Sequence, residues 1–179
     1  YIQFGTGYRQ IDMLHKMKFQ RKAEVSHILN FQLSTSSNVP RYDRLTEMKN
    51  GLPKFSEWYY GPQRRIMTSL KAQFRNKNWY DKMTLIGAFQ RLDEDRNKRR
   101  FSKIQREFNY EDVYVYSFTA DIDKRFGEKK NHQLSYGIDL NHNQVNSRAG
   151  KFHLKDASEL TEVLSRYPLN GSRMEMAGS

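Results

Sequence analysis

One pattern constrains this chain more than any other: apolar and polar residues alternate with a period of two through most of its length. Ile11, Met13, Met17 and Phe19 share one parity, and Gln10, Asp12, Lys16, Lys18 and Gln20 share the other. Successive side chains of an extended strand point to opposite faces, so the spacing predicts a strand with one apolar and one polar face. His15 is the one intruder on the apolar parity. The pattern returns with Val25, Leu29, Phe31 and Leu33 against Asn30, Gln32 and Ser34. It returns again with Ile66, Thr68, Leu70, Ala72 and Phe74 against Arg65, Ser69, Lys71 and Gln73. Met83, Leu85, Gly87 and Phe89 form a fourth set, blurred by Ile86 and Ala88. Tyr114, Tyr116, Phe118, Ala120 and Ile122 form a fifth, and Leu134, Tyr136, Ile138 and Leu140 a sixth. About six antiparallel strands are predicted, or roughly three hairpins.

The connections carry a second pattern. Arg21 to Glu24, Arg75 to Asn78 and Gly127 to Asn131 are short and turn-like, whereas Ser36 to Arg64 and Asp93 to Asp112 are long and polar, and a third long connection begins near Gln144. Short turns at one end and long loops at the other are the habit of outer-membrane barrels, with the short turns periplasmic and the long loops extracellular. Phe19, Phe74, Trp79, Tyr80 and Phe126 flank the short turns as an interfacial aromatic girdle would. Alternation by itself does not say which face meets water, and a soluble all-β binding module with an apolar interior fits it equally.

Composition narrows the rest. Mean hydropathy is -0.92, and no run approaches the roughly 20 apolar residues of a membrane-spanning helix. Alternating barrel strands average out as hydrophilic, so a membrane barrel stays open. A formal charge of +11 suggests an anionic partner, among them nucleic acid, but no zinc-finger, RNP or helix-turn-helix pattern accompanies it, and no nucleic-acid partner is expected. Cysteine is absent, which removes disulfide frameworks and thiolate metal sites. No nucleophile elbow, phosphate-binding loop or zinc-protease motif occurs, so no enzyme and no catalytic residue is predicted. Tyr1-Ile2-Gln3-Phe4 opens inside a strand-like run without a leader, and the chain is expected to be an internal piece.

Three stretches carry a family resemblance. The first is Ser34-Thr35-Ser36-Ser37-Asn38-Val39-Pro40-Arg41-Tyr42-Asp43-Arg44-Leu45-Thr46, with Glu57-Trp58-Tyr59-Tyr60-Gly61-Pro62-Gln63 after it. The others are His132 to Asp139 and Arg166-Tyr167-Pro168-Leu169-Asn170-Gly171-Ser172. In this order they resemble TonB-dependent outer-membrane receptors, most of all the haem or haemoglobin receptor branch of Bacteroidetes-type bacteria. The resemblance implies that residues 1–179 are part of the receptor's transmembrane β-barrel, not closed by this chain alone, with signal peptide, plug domain and further strands outside it. It also implies a bacterial outer-membrane location and energised uptake of a scarce nutrient: an iron complex, haem or a cobalamin-like ligand. Its implied partners are the TonB complex, reached through the plug, outer-membrane lipid, and the transported ligand or a haem-carrying protein. Transported haem or a metal complex would be cargo, with no covalently held cofactor and no metal site.

Candidate ligand contacts are placed in the extracellular loops. Trp58, Tyr59 and Tyr60 offer large amphipathic rings that stack on a ligand or pack the loop onto its neighbours. Arg99 and Arg100 stand within a basic cluster of Arg96, Lys98, Arg99, Arg100, Lys103 and Arg106, interleaved with Phe101 and Phe108. His142 and His153 are the histidines placed to serve an outward-facing pocket, while His15, His27 and His132 fall on the lipid face or beside turns. Gly61-Pro62 reads as a turn returning the long loop to the sheet, and Leu154 to Leu164 as extracellular loop.

Overall fold

A computed structural model describes residues 6–128, 131–155, 159–162, 164–168 and 170–178. The opening Tyr1 to Gly5 run lies outside the described residues. The elements in chain order are β1 (Gln10–Lys22), β2 (Val25–Ser36), β3 (Val39–Pro40), α1 (Tyr42–Leu45), β4 (Met48–Lys49), β5 (Leu52–Pro53) and β6 (Phe55–Tyr60). They continue with β7 (Arg64–Lys77), β8 (Tyr80–Arg100), β9 (Gln105–Phe126), β10 (His132–His153), β11 (Glu159–Glu162) and β12 (Gly171–Gly178).

The protein is all-β. Strands β1, β2, β7, β8, β9 and β10 pair in that order, each antiparallel to the next, and β12 pairs the far side of β10. The sheet is an open meander, since among the described residues β1 pairs only β2 and β12 only β10. The six strands expected from alternation are all present, and β12 adds a seventh to the meander. Its alternation of Met174 and Met176 with Arg173 and Glu175 is too brief to stand out beside the longer sets.

Register keeps the two faces apart across the whole sheet. Met17, Leu29, Leu70, Gly87, Phe118, Leu140 and Met176 lie in one transverse row. Phe19, His27, Ala72, Leu85, Ala120, Ile138 and Gly178 form the adjacent row. On β9 the clean apolar set runs from Tyr114 to Ile122, matching the roughly 9–11 residues with which a tilted strand crosses a bilayer. The reverse face carries Lys18, Ser69, Thr119, Asp121 and Asp139, with Thr119 donating to Asp139 at 2.5 Å.

Nothing among the described residues covers the apolar band. Leu70 is 51% exposed, Phe118 and Tyr136 41%, and Met176 70%. Three of the four buried apolar side chains, Trp58, Phe108 and Ala149, lie instead beyond the band, toward the hairpin tip that joins β8 to β9. Phe108 is the most enclosed, stacked between Tyr110 and Phe152 with both centroids 4.6 Å away.

The sheet corrects several loop expectations. β8, β9 and β10 are 21, 22 and 22 residues long, about 70 Å at roughly 3.3 Å per residue, so about half of each extends beyond the band. The expected Asp93 to Asp112 loop is therefore mostly ladder, with Phe101 to Ile104 at its tip. The loop expected from Gln144 is the outer half of β10. Ser36 to Arg64 contains β3, α1, β4, β5 and β6, and Glu159–Glu162 is a strand on β10. Residues 156–158 and 163 of that last stretch lie outside the described residues. Gly61-Pro62 is not a turn. Tyr60 stands opposite Arg96 and Arg64 opposite Asp93, so β6 and β7 form one line along β8, interrupted by a bulge at Gly61, Pro62 and Gln63.

Both long connections leave from the same end of the sheet, opposite the turns at Lys22, Asn76 and Glu128, as hairpin topology requires.

Candidate ligand-binding site

The candidate site is the outer end of the sheet, where β6, β8, β9 and β10 continue past the apolar band. Trp58, Tyr59 and Tyr60 belong to β6, not to a free loop, and alternation sends them to different faces. Trp58 is buried. It meets Tyr60 edge-on at 4.9 Å, and the Arg41 guanidinium lies 4.7 Å above the Trp58 ring while donating to the Tyr60 hydroxyl at 3.1 Å. Asp43 pairs with Arg41 from the other side. Trp58 and Tyr60 therefore fasten the chain leading into α1 onto the sheet. Tyr59, on the opposite face, lies 5.8 Å from the Arg106 guanidinium, and burial pushes its hydroxyl pKa up.

The basic cluster divides by partner. Glu57 holds Arg99 Nη2 at 2.8 Å through Oε1 and Arg106 Nη2 at 2.6 Å through Oε2, and both Nε groups also donate to it at 2.8 Å. One carboxylate thus ties β6, β8 and β9 together through two charge-assisted hydrogen bonds and two further ion-pair contacts. Lys98 pairs with Glu107 at 3.0 Å, and Arg96 lies 5.9 Å from the Tyr60 ring. Arg100 and Lys103 are left at the tip, where among the described residues no carboxylate pairs with either.

Those two cations meet a group that the sequence did not single out. Met48–Lys49 and Leu52–Pro53 pair as a small hairpin around Asn50-Gly51, both with positive φ. Asn-Gly between two short extended pairs is the strongest short-range hairpin signal, and it was the available clue. The hairpin places Lys49 and Lys54 beside Arg100 and Lys103, around a cavity of about 400 Å³ that also takes in Leu52, Phe55 and Phe101.

The histidines go elsewhere. His142 is not in a loop: it stands mid-strand on the apolar face, opposite Tyr116 on β9 and Met174 on β12. His153 ends β10 on the opposite face, eleven positions further on, so the two are about 36 Å apart at roughly 3.3 Å per residue and cannot share a ligand. The error follows from the length of β10, whose outer half mixes Asn143, Gln144, Asn146, Arg148 and Lys151 with Val145, Ala149 and Phe152 without a period of two and so resembles loop. His27 meets Phe74 edge-on at 6.2 Å and His132 stacks on Phe126 at 5.4 Å, both beside the short turns as expected.

Just beyond the band Asp93, Asp95 and Asp112 converge with Arg64 and Arg91. Arg91 reaches Asp93 at 2.8 Å and Asp112 at 3.5 Å. Asp95 has its pKa pushed up to about 6, first by burial and then by the charges of Asp112 and Asp93. Burial and Asp93 raise Asp112 as well.

No protein-family model, curated protein or solved structure matches this chain.

Proposed function

We propose that the chain is wall and outer rim of a bacterial outer-membrane β-barrel receptor that imports a scarce nutrient, such as an iron complex, haem or a cobalamin-like ligand. The uncovered apolar band carries this reading. Fully burying a large apolar side chain is worth about 1.5–3 kcal/mol, and roughly ten in the band are about half exposed, so together they forgo on the order of 10 kcal/mol. That is comparable with the whole stability of a typical domain, about 5–15 kcal/mol. Lipid tails on that face remove the deficit, and the polar reverse face then lines a lumen. The outer halves of β6 and β8 to β10 stand clear of the bilayer, where ligand arrives. In this role the chain binds and guides and does no covalent chemistry, and a plug and the TonB complex supply the energised gate.

The absence of native cysteine makes the placement directly testable. Single cysteines from Tyr114 to Ile122, spin-labelled in detergent micelles, should give high oxygen access at even positions and high access to a water-soluble relaxant at odd ones. A chain that is folded and monomeric without detergent, with no such period, would instead be a soluble β module. The import role has its own measurement: deleting the gene in its host should abolish energised uptake of one of the three nutrient classes under limitation, and unchanged uptake of all three would remove that role.

A further inference from the structure

We infer that the cavity between the two outer tips, β4–β5 and β8–β9, binds a small ligand that carries two or more negative charges on an apolar body. This deepens the receptor reading by giving the ligand a chemical class. Of the cations at the outer end, Arg99, Arg106 and Lys98 are already held by Glu57 and Glu107. Among the described residues no carboxylate pairs with Lys49, Arg100 or Lys103, and Lys54 reaches Glu47, which Arg44 shares. Four cations thus surround one cavity whose lining contains no carboxylate. Gathering like charges is unfavourable, and a bound polyanion relieves it.

The same cavity leaves apolar surface in water. Leu52 is 57% exposed and Phe101 40%, while the Lys54 ammonium lies 5.3 Å from the Phe55 ring. Charge alone would suit a bare inorganic anion, and apolar surface alone a neutral ligand. Together they select a molecule with both, and about 400 Å³ falls within the range of small-ligand sites, roughly 300–1,000 Å³. The walls are joined in advance: the Phe101 N–H donates to the Lys54 carbonyl at 3.1 Å, and the Ser56 hydroxyl to the Arg100 carbonyl at 3.2 Å.

The full chain in non-ionic micelles is titrated calorimetrically with naphthalene trisulfonate, a water-soluble aromatic polyanion, and separately with inorganic sulfate. The trisulfonate should bind at least about tenfold more tightly than sulfate, and the double variant Arg100→Gln, Lys103→Gln should lose about tenfold in affinity. Phe101→Ser should weaken the trisulfonate and leave sulfate unchanged, and Lys22→Gln at the opposite end should change neither. Should the double variant misfold, Lys49→Gln on the separate hairpin takes its place and should weaken binding severalfold. Equal affinity in wild type and the charge variants, or sulfate binding as tightly as the trisulfonate, overturns the proposal. So does binding of an acidic polypeptide with none of the trisulfonate. If the trisulfonate fails to bind while the spin-label period persists, the ligand class falls and the barrel wall stands. If binding occurs without that period, the cavity stands and the membrane reading falls.

Discussion

Asp95 shows how one residue reports on its surroundings. It stands beyond the apolar band, half-buried near Asp93 and Asp112, and its pKa is raised from the usual 3.8 to about 6. The folded chain therefore holds this proton over a range in which the unfolded chain has released it. Stability from this group is present at low pH, falls as pH rises from about 4 to about 6, and is level above that. Asp95→Asn should flatten the dependence, and amide exchange of the outer halves of β8 and β9 at pH 4.5 and pH 7 measures it. Equal slopes in wild type and variant would mean that Asp95 titrates like an exposed carboxylate. The sequence displays the Asp93-Glu94-Asp95 run, whose adjacent basic residues suggest local charge pairing. It does not display Asp112 opposite Asp93, which only the register of β8 on β9 brings about.

At the scale of elements, strands are legible wherever their two faces carry side chains of different polarity. Tyr114 to Ile122 alternates because one side is apolar and the other polar. Asp93 to Arg100 belongs to the same β8 but is polar on both sides, so the period vanishes although the ladder continues to Arg99 opposite Arg106. That is why β8, β9 and β10 were read short, and why Arg99, Arg100, His142 and His153 were assigned to loops. The continuity of β6 with β7 was hidden too, because Gly-Pro suggests a turn. Gly61 has φ +121, its N–H donates to the Asp95 carbonyl at 2.8 Å, and a Cβ there would stand 3.0 Å from Asn38 Cα and 3.1 Å from the Ser37 carbonyl oxygen. Gly61→Ala should therefore cost roughly 1–3 kcal/mol through backbone conformation alone. The loss should appear as faster amide exchange in β6 and the outer part of β8, with the band half of β8 unchanged. Unaltered exchange in β6 would mean that the bulge does not depend on glycine.

For the molecule as a whole, the decisive property is that the sheet is open. Among the described residues seven meander strands, β1, β2, β7, β8, β9, β10 and β12, fall short of the 8 or more in single-chain outer-membrane barrels, and no pairing links β1 to β12. An open edge inside hydrocarbon leaves backbone N–H and C=O groups without partners at several kcal/mol each, whereas in water or at a micelle rim the same groups are hydrated. The isolated chain should therefore resist insertion as a monomer and instead pair its edges with other copies or with further strands. Refolded at low concentration in micelles, monomers should exchange the outward amides of β1 and β12 rapidly while β8 and β9, flanked on both sides, exchange slowly. Raising the concentration should slow exchange at both edges together as copies pair. Slow exchange along β1 and β12 in a verified monomer would mean that those edges bond to each other, which requires a closed barrel of seven strands in place of the open sheet.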